Sequence, residues 1–138
     1  MISNSSKYAI KSLVYIVNNA SESHKLLVKD IAHEIQVPKP YLSKILQQLS
    51  TKKYVSSTKG PGGGFYITKE QLKTSLIDVI IETEGKDRLS RCILNYKNCD
   101  AQNPCPIHEI IARDKDALRH KLKMITLEDF KKSGFPVR

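Results

Sequence analysis

Two short amphipathic segments separated by only two residues, and followed at once by a glycine-tipped pair of β-prone runs, leave this 138-residue chain few folds to choose from. Val28-Lys29-Asp30-Ile31-Ala32-His33-Glu34-Ile35 has the apolar spacing of a short helix, and Gln36-Val37 links it to a second helix predicted from Pro38 to about Ser50. In the second helix Leu42, Ile45, Leu46 and Leu49 fall on one face, leaving Lys39, Pro40, Ser43, Lys44 and Gln47 on the other. Ala32 is small enough to let the two helices cross closely and Val37 can plug the turn, which is a helix-turn-helix pattern. After Lys52-Lys53 the period changes. Tyr54-Val55-Ser56-Ser57-Thr58 and Phe65-Tyr66-Ile67-Thr68 are rich in β-branched and aromatic residues and flank Lys59-Gly60-Pro61-Gly62-Gly63-Gly64, so a hairpin, or wing, extends the helix-turn-helix.

The remaining elements follow from periodicity and caps. A first helix is expected from Ser6 to about Asn19, with Ser5 or Ser6 as its cap. Ser75 caps a helix from Leu76 to Glu84 that Gly85 ends, and Pro106 opens a long helix to about Met124. The long helix carries an apolar stripe of Ile107, Ile111, Leu118, Leu122 and Ile125, and Thr126 caps a last short helix from Leu127 to Lys132. The expected fold is mainly α: a winged helix-turn-helix with a small β-hairpin wing and a long C-terminal helix, which the family resemblance drawn below implies is a dimerisation helix. It divides into a winged helix-turn-helix domain over 1–85, a cysteine-rich loop over 86–105 and the long helix with its tail over 106–138.

Charge points to a polyanionic partner. The net charge is +9, and residues 1–60 carry nine lysines against three acids. Such clustering fits the electrostatic footprint of nucleic-acid binding and equally a soluble, lysine-rich surface, so charge alone does not separate the two. On the second helix Lys39, Tyr41, Ser43, Lys44 and Gln47 offer groups suited to base edges and phosphates in a major groove. At the wing, Lys59 can hold a phosphate or enter a minor groove, and Gly60, Pro61, Gly62, Gly63 and Gly64 let the backbone come close. The glycine-rich tip is not a nucleotide-binding loop, because a strand follows it where that loop needs a helix. No apolar run approaches the roughly 20 residues that cross a bilayer, and no signal-peptide pattern opens the chain. The expected location is cytoplasmic. No carboxylate pair or nucleophile-base arrangement stands out, so no enzyme is expected.

Cys92, Cys99 and Cys105 are the chain's three cysteines, and with His108 they place four candidate metal ligands within 17 residues. In a reducing compartment that pattern leaves metal binding or thiol redox chemistry. Zinc modules bring their ligands in tight Cys-x-x-Cys pairs, which this chain lacks, so an iron–sulfur cluster stands ahead of zinc. Cys105 and His108 at the start of the long helix would set thiolates and cluster charge against its N-terminal dipole.

Taken together, the helix-turn-helix, the wing Lys59-Gly60-Pro61-Gly62-Gly63-Gly64-Phe65, the cysteine triplet with His108 and the long helix ending in Ile125-Thr126-Leu127 resemble the winged-helix iron–sulfur regulators of the IscR and NsrR type. The resemblance spans nearly the whole chain. It implies a bacterial homodimer on double-stranded operator DNA, with no membrane association, whose binding depends on a cluster. In that comparison Cys92, Cys99 and Cys105 match the cluster cysteines and His108 matches the histidine of a 2Fe–2S site. A 4Fe–4S cluster is the second option. The aspartate that completes such a cluster in the NsrR branch is matched by Lys7, which cannot ligate. The first cysteine gap is six residues where five is common, Lys59 stands where arginine is usual, and Ser43 where a site-discriminating glutamate occurs in the IscR branch. The implied function is a transcription regulator that senses nitric oxide, redox or iron–sulfur status. The alternatives are a cluster-free, thiol-sensing winged-helix regulator and, from another class, a small iron–sulfur electron carrier.

Overall fold

In the computed structural model, which describes residues 2–94, 96–97 and 102–131, the apolar periodicity becomes five α-helices and one hairpin. These are α1 (Asn4–Asn19), α2 (Val28–Ile35), α3 (Lys39–Thr51), β1 (Ser56–Thr58), β2 (Gly64–Tyr66), α4 (Leu76–Glu84) and α5 (Pro106–Met124). Two 3-10 turns, Gln71–Lys73 and Leu127–Phe130, precede α4 and follow α5. None of the described helices is long and apolar enough to cross a membrane.

Helices α1, α2 and α3 share one core. Ala9, Leu13 and Ile16 of α1 meet Ile31 and Ile35 of α2 and Leu42, Leu46 and Leu49 of α3, and Val79 of α4 closes the cluster. Leu42, Leu46 and Leu49 are wholly buried, and a buried leucine contributes roughly 1.5–3 kcal/mol relative to leaving it exposed. Between α2 and α3 the chain turns at Gln36, which adopts a left-handed conformation (φ 57°, ψ 49°) and donates its N–H to the last carbonyls of α2. Val37 fills the space beneath that turn, 5% exposed. A second cluster joins Leu76, Ile77 and Ile80 of α4 to Leu89 and to Leu122 of α5, with Leu118 packed on its edge. Beyond α5 the chain returns: Leu127 N–H donates to Thr74 O (3.0 Å) and Leu76 N–H to Ile125 O (3.0 Å), which delivers Leu127 into the α1–α3 core.

Three details depart from the sequence expectation. The cap of α1 is Ser3, whose hydroxyl accepts from Ser6 N–H at 3.2 Å, while Ser6 is fully buried with its hydroxyl on Thr83. The strands are shorter than the β-prone runs. Lys53 turns the chain in a left-handed conformation (φ 65°), Tyr54 N–H bonds Leu49 O at 2.9 Å, and Val55 drops into the core, so pairing starts only at Ser56. The last short helix is a 3-10 turn over Leu127–Phe130, held by a reciprocal Thr126–Asp129 capping box.

Helix α1 has no acidic residue in its own first turn; Glu84 at the end of α4 serves instead. Its carboxylate accepts from Ser3 N–H, and Arg88 Nε lies 3.2 Å from its other oxygen. Burial alone would push the Glu84 carboxyl up, but hydrogen bonds from Ser3 and Ser6, together with the Arg88 charge, outweigh it and hold the group below its ordinary value. A depressed folded value means that this carboxylate's stabilisation is complete above the ordinary value of 4.5 and is lost as pH falls through the lower, folded one. Glu84→Gln is therefore expected to cost about 1–3 kcal/mol at neutral pH, with the gap to the parent protein closing as pH falls below that window in urea titrations.

Gly64 is tied to its place by sterics. It sits at φ 143°, and a Cβ there would come within 2.6 Å of Leu26 O. Gly64→Ala should lower stability by about 1–3 kcal/mol, read as a fall in Tm.

Candidate nucleic-acid interface and cysteine cavity

Helix α3 lies between its buried leucines and an exposed face that carries Lys39, Lys44 and Gln47. The other two polar residues expected there are differently placed. Ser43 is half-buried, and Tyr41 is held by α1: its hydroxyl is 2.7 Å from Ser5 Oγ and its ring meets Tyr8 edge-on at 5.6 Å. Tyr41 thus ties the start of α3 to α1 while 44% of its surface stays exposed. Neither Ser5 nor Tyr8 carries a local sequence signal for this role, because the partners are more than 30 residues away in the chain.

At the wing, β1 and β2 pair antiparallel in the register Ser56↔Tyr66, Ser57↔Phe65 and Thr58↔Gly64. Lys59 is exposed where β1 ends. The tip is a β-turn from Gly60 to Gly63, closed by Gly63 N–H on Gly60 O at 2.9 Å, with Pro61 second and Gly62 third at φ 74°. That is the pattern of a type II turn, in which the third residue must take a positive φ. Part of the glycine content therefore serves the hairpin itself: Gly62 makes the turn, and Gly64 lets β2 close on Leu26, whose N–H and C=O both pair with Phe65 (3.0 and 2.7 Å). Phe65 is half-buried against the α1–α3 core, so the base of the wing is part of the domain.

At the start of α5, Cys105 is the N-cap and Pro106 takes the first helical position. Cys105 makes no side-chain cap bond, so its sulfur is not used by the helix. Cys92, Cys105 and His108 line one cavity of about 290 Å³, whose other walls include Leu89, Ile93 and Ile111. Both cysteines are half-buried. Lys115 of α5 donates to Arg91 O and holds the loop against the helix at the rim. Among the described residues no three His, Cys, Asp or Glu side chains are gathered closely enough to hold a single metal ion. Cys99, the remaining expected ligand, lies outside the described residues.

The apolar stripe of α5 divides. Leu118 and Leu122 pack on α4 within the chain, Ile111 faces the cavity, and Ile107 and Ile125 are more than a third exposed. Ile110, which the expected stripe omitted, is 70% exposed.

A helix-turn-helix with an attached two-stranded wing, exposed lysines on its second helix and a basic residue at the wing tip define a DNA-binding transcription regulator of the winged-helix class. The chain belongs to the Rrf2 family of iron-dependent transcriptional regulators, whose model matches residues 2–133. It is 32% identical over 143 residues to a protein of Aquifex aeolicus assigned to the HTH-type transcriptional regulators, covering 99% of this chain and 98% of that one. It is 26% identical to the regulator NsrR of Bacillus licheniformis (93% and 90% covered) and 26% identical to the regulator IscR of Escherichia coli (88% and 74% covered). Its fold matches that of CymR, the global cysteine regulator of B. subtilis, with a TM-score of 0.78 at 22% identity and 98% of both chains covered.

If Lys44 and Lys59 each neutralise a phosphate, replacing either with alanine should weaken binding to duplex DNA at all sequences and reduce the slope of log K against log salt by about 0.9. Fluorescence anisotropy over a salt series measures this.

Proposed function

We propose that this regulator binds operator DNA as a homodimer and that an iron–sulfur cluster held by Cys92, Cys99, Cys105 and His108 sets its affinity. The observation that carries the reading is the convergence of Cys92, Cys105 and His108 on one cavity at the N-terminus of α5. Two soft sulfur donors and an imidazole are a fitting donor set for a cluster, and 2Fe–2S is favoured because His108 lines the same cavity and can supply a nitrogen ligand. The helix N-terminus supplies a positive dipole end that favours thiolates and a cluster's negative charge. Leu89, Ile93 and Ile111 give the cavity apolar walls beside the donors. When bound, the cluster supplies the chemistry that reacts with nitric oxide or oxidants, or that is lost in iron shortage.

The residues around the cavity then carry the signal. Leu89 packs in the same cluster as Leu76, Ile77 and Leu122, so a change in the loop bears on both α4 and α5. Arg88, one residue before Leu89, pairs with Glu84, which holds the first turn of α1. A shift of the loop would alter how α5 sits and, with it, the spacing of two recognition helices across a dimer. Ile107, Ile110, Ile125 and Met124 offer the exposed apolar surface of α5 to a second copy. Residues 1–85 would read DNA, 86–105 hold the cluster and 106–138 dimerise, in the cytoplasm.

Anaerobically purified protein should be brown, contain iron and sulfide in equal amounts, and lose its visible absorption in Cys92→Ala, Cys99→Ala and Cys105→Ala. Colourless protein with one zinc per chain would sink the proposal. A second reading has the same cysteines act without metal, two thiols giving up two electrons and two protons to a peroxide to form a disulfide. The half-buried Cys92 and Cys105 on one cavity favour it. Iron-free protein that gains a reversible link and loses DNA affinity would select that reading. A cluster-bearing chain with no salt-sensitive DNA binding would be an electron carrier instead.

A further inference from the structure

We infer that Gln71 is a positioning residue for DNA binding: its side-chain amide locks the wing to the end of the recognition helix and so fixes where Lys59 meets DNA. The inference rests on the reading of Lys59 as a DNA contact. Two three-residue strands cannot hold their own direction in water, so the angle of the wing is decided at its base.

Gln71 touches three segments there. Its Oε1 accepts from Ser56 Oγ at 3.1 Å, where β1 begins, and from Thr68 N–H at 2.9 Å, just past β2. Its Nε2 donates to Lys53 O at 3.0 Å, in the left-handed turn by which the chain leaves α3. The side chain is itself fixed, because Gln71 N–H donates back to Thr68 Oγ1 at 3.3 Å. Thr68 and Gln71 thus bond each other reciprocally, in the pattern of a capping box. A glutamate would complete that pair equally well. What a glutamate cannot do is donate to Lys53 O, since an ionised carboxylate only accepts. The amide is the chemistry that this bond to the end of α3 requires, beyond what capping requires.

Two other contacts steady the base. Leu26 pairs with Phe65 on the outer side of β2, and Ser50 Oγ of α3 lies 3.0 Å from Ser57 Oγ of β1, a single exposed bond that also joins α3 to the wing. Gln71 differs in holding three segments at once: its bond to Lys53 O is exposed, while those to Ser56 and Thr68 are partly shielded from solvent, where a hydrogen bond holds its geometry better.

The test is a double-mutant cycle of Gln71→Met with Lys59→Ala, using a duplex that the parent protein selects from a random-sequence pool. Methionine keeps the length and removes every side-chain hydrogen bond. Q71M is expected to weaken binding about fivefold to tenfold on the parent background, to expose the Thr68 amide to faster hydrogen exchange, and to change affinity less than about twofold when Lys59 is already alanine. Unchanged affinity in Q71M, or the full loss persisting in the K59A background, overturns the inference while leaving the wing contact standing. If K59A alters neither affinity nor salt slope, the wing reading itself fails and takes this inference with it. Should Q71M not fold, Q71E, which keeps the cap, replaces it in the cycle: a loss that vanishes with K59A supports the inference and one that persists overturns it.

Discussion

Burial of both sides of α1 is the constraint on which the rest of the structure depends. One side, through Ala9, Leu13 and Ile16, forms the floor on which α2 and α3 cross. The other, through Ile10 and Ser6, faces α4 and the second apolar cluster. A helix packed on two sides fixes the orientation of the recognition helix relative to α4, and α4 carries α5. The polar atoms on α1 that this burial strands are satisfied locally: Ser12 Oγ bonds Ala9 O at 2.8 Å, and Ser6 pairs with Thr83. Burying a hydroxyl without such a partner would cost on the order of 1–3 kcal/mol.

Because α1 packs against both α3 and α4, helix α3 and the cysteine-bearing segment are joined through packed elements. Tyr41 of α3 bonds Ser5 near the start of α1, Glu84 of α4 accepts from Ser3 in the same region, and Arg88 links that carboxylate to the segment that leads into Cys92. A short stretch of α1 therefore touches both the recognition helix and the route to the cavity. The returning chain after α5 adds a second connection, since Leu127 inserts into the core that α1 shares with α2 and α3 while Leu122, five residues earlier, packs on α4. Under the sensing role proposed above, this packed continuity is the route by which the state of the cysteine segment would bear on the geometry of α3.

The wing shows how one motif serves two needs. Its turn residues are set by backbone conformation, with Pro61 and Gly62 at the positions a type II turn requires, while Gly64 is set by the approach of Leu26. Lys59, by contrast, has no structural reason to be where it is; it is exposed at the end of a strand and free to take its role from an outside partner. The same division runs through α3, where the leucines answer to the core and the lysines to solvent or DNA.

Periodicity and caps determined much of this protein from the sequence alone. The 3.6-residue spacing of Leu42, Ile45, Leu46 and Leu49, Val37 in its turn, Ser75 and Gly85 at the ends of α4, and Pro106 at the start of α5 all rest on interactions within a few residues, and the observed elements agree. Cys92, Cys105 and His108 could be grouped by residue type, but their meeting on one cavity depends on how the loop folds back on α5. Only the tertiary structure decided that Tyr41 is braced by α1, that the α5 stripe splits between α4 and an exposed face, and that Glu84 serves as the acid of a helix 80 residues earlier. Gln71 is intermediate: Thr68 and Gln71 have capping-box spacing, yet nothing near them in sequence says that the same amide reaches Ser56 and Lys53. The physical reason is range. Helix registry, turns and caps are short-range choices that the local chain makes for itself, whereas the partner of a side-chain hydrogen bond or an apolar face is chosen by which segments the closed core brings together.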